Sequence, residues 1–175
     1  LYEMIPRPEG SPKRRQIETG IVDSVAYSND GVLAAAGFRG ESNIRVYRTS
    51  DWKRTLLSQK DEGARLSIIT KIVFSGDRRL LASVAESQRD QSFRRFVTLR
   101  VFEIATGIER VRVPLSQSPL DVRFTTDNQT VQVLGGQPHL EQLNFPLHVE
   151  QWIRAGCGRV RDNLTPEQWS VYLPG

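Results

Sequence analysis

The chain has 175 residues, 38% hydrophobic and 25% charged, with a formal net charge of +4 and a pI near 9.6; that is enough for one domain with a real core. No apolar run approaches the ~18 residues that cross a bilayer, and the opening Leu1-Tyr2-Glu3-Met4 has neither the basic nor the apolar region of a signal peptide. A single cysteine, Cys157, with only His139 and His148 beside it, excludes an internal disulfide framework and a structural zinc site, and a reducing cytoplasm with no membrane partner is expected.

In chain order, residues 1–20 offer two short strand-like stretches, around Leu1-Tyr2-Glu3 and Lys13-Arg14-Arg15-Gln16-Ile17. Residues 21–66 give a fuller unit. Val25-Ala26-Tyr27 alternates as a strand that buries every second side chain. Ser28-Asn29-Asp30-Gly31 is a tight turn, in which Asp30 bonds local amides and Gly31 takes φ > 0. Three more strands follow, Val32-Leu33-Ala34-Ala35-Ala36, Ile44-Arg45-Val46-Tyr47 and Arg54-Thr55-Leu56-Leu57.

Residues 67–118 repeat the pattern. Ile72-Val73-Phe74 leads into Ser75-Gly76-Asp77-Arg78, with Asp77 in the place of Asp30. Strands at Leu80–Val84, Leu99–Ile104 and Glu109–Val113 follow, the last two joined by Ala105-Thr106-Gly107. Between the second and third strands lies a polar insertion, 86–95 (Glu-Ser-Gln-Arg-Asp-Gln-Ser-Phe-Arg-Arg), longer than its counterpart in the first unit. Functional residues gather on loops over rigid scaffolds, so Arg89, Arg94 and Arg95 are the expected partner contacts.

Residues 119–146 start a third unit. Val122-Arg123-Phe124 precedes Thr125-Thr126-Asp127-Asn128, with Asp127 as the turn carboxylate. Val131-Gln132-Val133-Leu134 and a weaker Leu140-Glu141-Gln142-Leu143 complete it. The repeated aromatics Tyr27, Phe74 and Phe124 are thus 47 and 50 residues apart.

Four short strands per unit of this length is the arithmetic of a propeller blade. The pattern resembles WD40 repeats across about residues 1–146. Ile44-Arg45-Val46-Tyr47 and Leu99-Arg100-Val101-Phe102-Glu103 stand where that family's strand ends in Trp-Asp. Ser28-Asn29-Asp30-Gly31 stands in its Ser-Pro-Asp-Gly turn. No unit carries the family's Gly-His pair or a literal Trp-Asp, so its buried Asp-His-Ser/Thr-Trp network is absent, and apolar packing is expected to dominate. The expected fold is all-β: a partial WD40 β-propeller of about three blades, the last incomplete, plus the end of a preceding blade in residues 1–20. That is too few to close a ring. Further blades are expected from the rest of the same protein or from another chain.

Residues 147–175 change character. Val149-Glu150-Gln151-Trp152-Ile153-Arg154-Ala155 reads as a short helix. In Asn163-Leu164-Thr165-Pro166-Glu167-Gln168-Trp169, Thr165 is a good N-cap, Pro166 suits the first helical turn and Gln168 can close a capping box. Trp152, Trp169 and Tyr172 are expected to pack as a helical cap on the last blade. This tail closely resembles the ending of many bacterial WD40 proteins whose propeller follows a STAND-type NTPase and an effector such as a TIR, caspase-like or trypsin-like protease domain. The resemblance implies a sensor.

Catalytic signatures are missing from the sequence. Gly135-Gly136 is not followed by Lys-Ser/Thr, so it reads as a turn. There is no Gly-x-Ser-x-Gly elbow. Asp61-Glu62 and Asp121 are isolated, His139 and His148 read as surface residues, and Cys157 reads as a packed small residue. The segment is therefore expected to hold no catalytic residue, metal or cofactor, whatever an upstream NTPase or effector does. Its expected work is protein recognition. Two alternatives stay open: nucleic-acid binding by the mildly basic surface, whose charges are scattered rather than run together, and a structural scaffold for an effector or protease domain on another chain.

Overall fold

Short alternating segments punctuated by Asp-containing turns become antiparallel strands taken in strict sequence order. The computed structural model describes residues 2–5, 13–17, 19–39, 43–58, 66–88, 95–135, 141–148 and 150. β1 (Tyr2–Ile5) and β2 (Lys13–Gln16) form a two-stranded sheet. β3 (Val22–Tyr27), β4 (Leu33–Phe38), β5 (Asn43–Arg48) and β6 (Arg54–Ser58) form the first four-stranded sheet. β7 (Leu66–Phe74), β8 (Leu80–Gln88), β9 (Arg95–Glu103) and β10 (Glu109–Leu115) form the second. β11 (Asp121–Phe124), β12 (Thr130–Leu134) and β13 (Gln142–Pro146) form a three-stranded third.

The first strand of each sheet lies towards its neighbours. β7 packs on β3 and β4 of the sheet before it and on β11 of the sheet after it. Sheets stacked in this way through their leading strands make a partial β-propeller. The chain divides into two units, Leu1–Phe145 and Pro146–Gly175. In the second, the helical cap with Trp152, Trp169 and Tyr172, and also Cys157, lies outside the described residues.

The core sits between sheets. Ala35, Ile44, Val46 and Leu57 of the first sheet pack with Ile69, Phe74, Leu81, Ala85 and Phe102 of the second. Full burial of an aliphatic or aromatic side chain stabilises by about 1.5–3 kcal/mol, so this seam is the main bond between the two sheets. Small residues bring the backbones close. Gly37 of β4 faces Ile69 of β7, and a Cβ at residue 37 would stand 2.6 Å from the Ile69 Cβ. On the other side of the second sheet, Ala82, Val84, Leu99 and Val101 are buried, as are Val122, Val131 and Val133 of the third.

The period of two holds along each strand, but its consequence changes with position. In the second sheet the repeated aromatic points towards the preceding sheet. Phe74 is buried there against the first sheet. Tyr27 and Val25, expected on a buried face, are 58% and 46% exposed. Further along the same face Ala36, Phe38 and Tyr47 are buried, with Ile17, Val22 and Trp52 packed on them. The exposure is therefore confined to the leading strand, where no described residue covers it.

Two boundaries also differ from the sequence reading. Glu86, Ser87 and Gln88 pair with Val97, Phe96 and Arg95 in the β8–β9 hairpin, so both ends of the expected insertion 86–95 are strand. The polar run hid this, because an extended hairpin needs only backbone pairing, not apolar residues. The last strand runs over Gln142–Pro146 rather than 140–143. Glu141 instead accepts a hydrogen bond from the Gly135 amide through its carbonyl, at 2.7 Å.

Candidate functional site

Three turns of one design join the first and second strands of the three larger sheets. In the first, the Ser28 hydroxyl donates to Asp30 Oδ1 at 2.7 Å, the Val32 amide donates to the same oxygen at 3.1 Å, and the Leu33 amide donates to Ser28 Oγ at 2.9 Å. In the second, Ser75 donates to Asp77 at 2.6 Å, Arg79 N–H to Asp77 at 3.1 Å, and Leu80 N–H to Ser75 Oγ at 2.9 Å. In the third, Thr125, Asp127, Gln129 and Thr130 repeat the set at 2.6, 3.0 and 3.1 Å. A hydroxyl two residues before a carboxylate is the whole requirement, and the local bonding capacity of Ser, Thr and Asp explains it.

The residue after each aspartate is left-handed: Gly31 at φ 71°, Arg78 at 62° and Asn128 at 57°. Where that residue has a side chain, the side chain reaches back one turn. Arg78 Nη1 lies 2.7 Å from Asp30 Oδ2, and Asn128 Oδ1 accepts from the Gly76 amide at 2.7 Å. The turns are thereby linked in a row across the sheets. The two links differ in worth. An exposed ion pair contributes about 0–1 kcal/mol, and a non-glycine residue in the left-handed region costs about 1–2 kcal/mol. Arg78→Gly is therefore expected to leave stability within about 1 kcal/mol of the native chain. Asn128→Ala keeps the strained backbone and loses the acceptor, and is expected to cost about 1–2 kcal/mol. Urea unfolding midpoints of the two variants decide between these outcomes.

The turn carboxylates are all held below their usual pKa. The Ser28 hydroxyl, then the Val32 amide, lowers Asp30, with a further push from Arg78. The Ser75 hydroxyl does the same for Asp77, and the Thr125 hydroxyl for Asp127. On another turn Glu103 is lowered by the Thr106 hydroxyl and by Arg110. Such groups stay ionised near neutral pH and are not poised for proton transfer. A folded-state pKa below the unfolded value adds stability that is present above about pH 4 and lost as pH falls through the folded pKa. The unfolding midpoint is thus expected to fall between pH 5 and pH 2.5. The fall should be shallower in a variant with Asn at 30, 77 and 127. An equal slope in both would assign the acid response elsewhere.

Arg89 and Arg94 lie outside the described residues. Arg95 begins β9, its side chain 78% exposed and 3.3 Å from Glu86 Oε2. The other Glu86 oxygen accepts from the Ser118 hydroxyl, which ties the long hairpin to the chain entering the third sheet. On the third sheet a depression of about 90 Å³ is lined by Asp121, Arg123, Gln132, Leu134 and Gln142, well short of the volume that encloses a small-molecule ligand. Among the described residues no group of three or more His, Cys, Asp or Glu is placed to hold a metal ion.

Sequence reasoning gave no role to Arg100. It is fully buried in β9 and lies 3.4 Å from Glu109. Burial, and then the nearby Arg112 charge, lower its pKa, while Glu109 opposes both.

No family model matches the chain, and no curated protein matches it in sequence. Solved structures do match. A eukaryotic initiation factor aligns at a TM-score of 0.57 and 9% identity, over 78% of this chain and 33% of that one. A putative 6-phosphogluconolactonase from Bacteroides uniformis aligns at 0.52 and 12% identity, over 83% of this chain and 48% of that one. At such identities the likeness is one of fold, and the fold is propeller-like. The chain spans only a third to a half of the length of these structures.

Proposed function

We propose that this chain is a non-catalytic recognition segment, a WD40-type stretch of propeller within a larger cytoplasmic signalling or defence protein of the bacterial STAND NTPase kind. The observation that carries the reading is the exposed Tyr27 and Val25. They occupy the face that, in the second sheet, is sealed by the preceding sheet. Apolar side chains on a regular sheet face are a surface for another protein element. On this reading inner strands from the rest of the same protein, or from another chain, complete the seal. The WD40 and STAND assignments rest on the repeat pattern and on the tail that runs through Trp152 and Trp169. The partner-contact role of Arg89, Arg94 and Arg95 belongs to the same proposal, as does the absence of any cofactor.

The test is association. The chain, mixed with the remainder of its parent protein as a separate polypeptide, is expected to form a complex on sedimentation. Changing Val25 and Tyr27 together to Glu should weaken that complex at least about tenfold, since each loses about 1.5 kcal/mol or more of burial. A compact monomer indifferent to the remainder, with the double variant behaving the same, would overturn the reading. Scaffolding of an effector on another chain predicts the same complex with a different polypeptide. Nucleic-acid binding is favoured only if affinity falls steeply with salt, by the counterion-release slope.

A further inference from the structure

We infer that the third sheet is the polar end of the row: its outer face is built to meet water and bars a further sheet, so a partner protein joins at the exposed face of the first sheet. The turns fix the comparison between sheets. The amides of Leu33, Leu80 and Thr130 each donate to the hydroxyl five residues earlier, so β4, β8 and β12 start in one register. Two residues on, the side chain returns to the same face of the sheet. In the first two sheets that residue is Ala35 and Ala82, both fully buried, and Ala35 packs into the seam with the second sheet. In the third it is Gln132, half-buried. The leading strands agree. The residue before the repeated aromatic is Ala26, packed on the same seam, then Val73, then Arg123, which is exposed.

The polar groups of the third sheet satisfy one another. Arg123 Nε donates to Gln132 Oε1 at 3.0 Å, Gln132 Nε2 to Asn144 Oδ1 at 3.2 Å, and Gln142 Nε2 to the same oxygen at 3.2 Å. The bonds run across all three strands, from β11 through β12 to β13. Asp121, also exposed, lies on the same face. Such a ladder needs nothing from a neighbouring sheet, and water serves the remaining donors and acceptors. A sheet stacked on it would strip that water from a guanidinium, a carboxylate and three amides, at a cost that rises with every group left unpaired. It would also meet a glutamine where an alanine lets the first two sheets approach. Rows of stacked repeats stay soluble when their last unit turns a polar face outwards. At the other end of this row Val25 and Tyr27 present an apolar face, so the two ends have opposite chemistry.

The choice of joining face rests on the protein-recognition reading, whereas the polar end stands on the third sheet alone, and the test separates the two. Cys157→Ser removes the native thiol of the full 175-residue chain. Arg123→Cys then places one thiol on the third sheet, and Tyr27→Cys, in a second variant, places one on the first. Both positions are exposed, so folding is preserved, as far-ultraviolet circular dichroism will register. Reaction with a maleimide dye is timed for each chain alone and in the presence of a saturating amount of the remainder of its parent protein. Arg123→Cys is expected to react at the same rate in both, within about twofold, and Tyr27→Cys at least about tenfold more slowly in the complex, because thiol reactivity follows exposure. Gln142→Cys, on the same face as Arg123, should behave as Arg123→Cys does. Protection of both third-sheet thiols in the complex, as a ring closed through this face requires, overturns the polar end and leaves protein recognition standing. Reaction of Arg123→Cys far slower than that of Tyr27→Cys in the chain alone overturns it as well. Equal rates for Tyr27→Cys, free and mixed, overturn the recognition reading and leave the polar end standing.

Discussion

Gly37→Ala is expected to lower the unfolding free energy by about 1–3 kcal/mol, a large effect for one added methyl. The added Cβ would meet Ile69 Cβ at 2.6 Å, its Cγ2 at 2.8 Å and its Cγ1 at 3.0 Å. The nearest of these atoms is fixed to the β7 backbone, so no rotamer change relieves the contact. Either the two sheets separate locally or the strands shift, and the seam formed by Ala35, Ile44 and Val46 against Ile69 and Phe74 loosens with them. Gly37→Val should cost more. Truncating Ile69 to Ala should not rescue Gly37→Ala, because the clash is with a Cβ that alanine retains. Gly31 supplies the contrast. Nothing lies within 4 Å of a Cβ there, and the residue is kept for its φ of 71°, so Gly31→Ala should cost about 1 kcal/mol by backbone strain alone. Urea titrations of these variants test the difference. A Gly37→Ala chain as stable as the native one would mean that the sheets are not in contact at β4 and β7.

The architecture was legible in the sequence because its signals are local. A Ser or Thr two residues before Asp, after an aromatic, occurs at Tyr27, Phe74 and Phe124, and a two-residue side-chain bond needs no help from elsewhere. The all-β class and the propeller order followed from that spacing. What escaped the reading is set by residues far apart. Nothing around Tyr27 signals that its face stays open while Phe74 is covered. The Arg78–Asp30 and Asn128–Gly76 links join residues about fifty positions apart, each part of an otherwise complete turn. Glu86-Ser87-Gln88 reads as loop by composition and is strand by pairing. The kinship of two further turns was the subtlest case, since Arg48, Lys53 and Arg54 match Glu103, Ile108 and Glu109 only through their backbone bonds. The contacts assigned to Arg89 and Arg94, and the tail with Trp152, Trp169 and Tyr172, stay with the sequence argument.

Glu109→Gln is expected to destabilise the chain by about 2–4 kcal/mol, far more than a typical surface carboxylate. Arg100 is wholly buried and its partner Glu109 is 22% exposed. Glu109 also receives two hydrogen bonds from Arg112, so one carboxylate serves two guanidinium groups. A neutral amide in its place takes the shared counter-charge from both guanidinium groups, one of them out of water. The expected cost lies slightly below that of breaking a fully buried pair because water reaches Glu109. The loss should depend on the buried charge, not on the carboxylate itself. In an Arg100→Met background, where the methionine fills the space with an apolar chain, Glu109→Gln should cost under about 1 kcal/mol. A double-mutant cycle on urea midpoints would then give a coupling of about 2 kcal/mol. Equal costs in the two backgrounds would show that Glu109 acts by some route other than Arg100. The same position carries Arg54 in the first sheet, so the repeat has put a carboxylate only where an arginine is buried beside it.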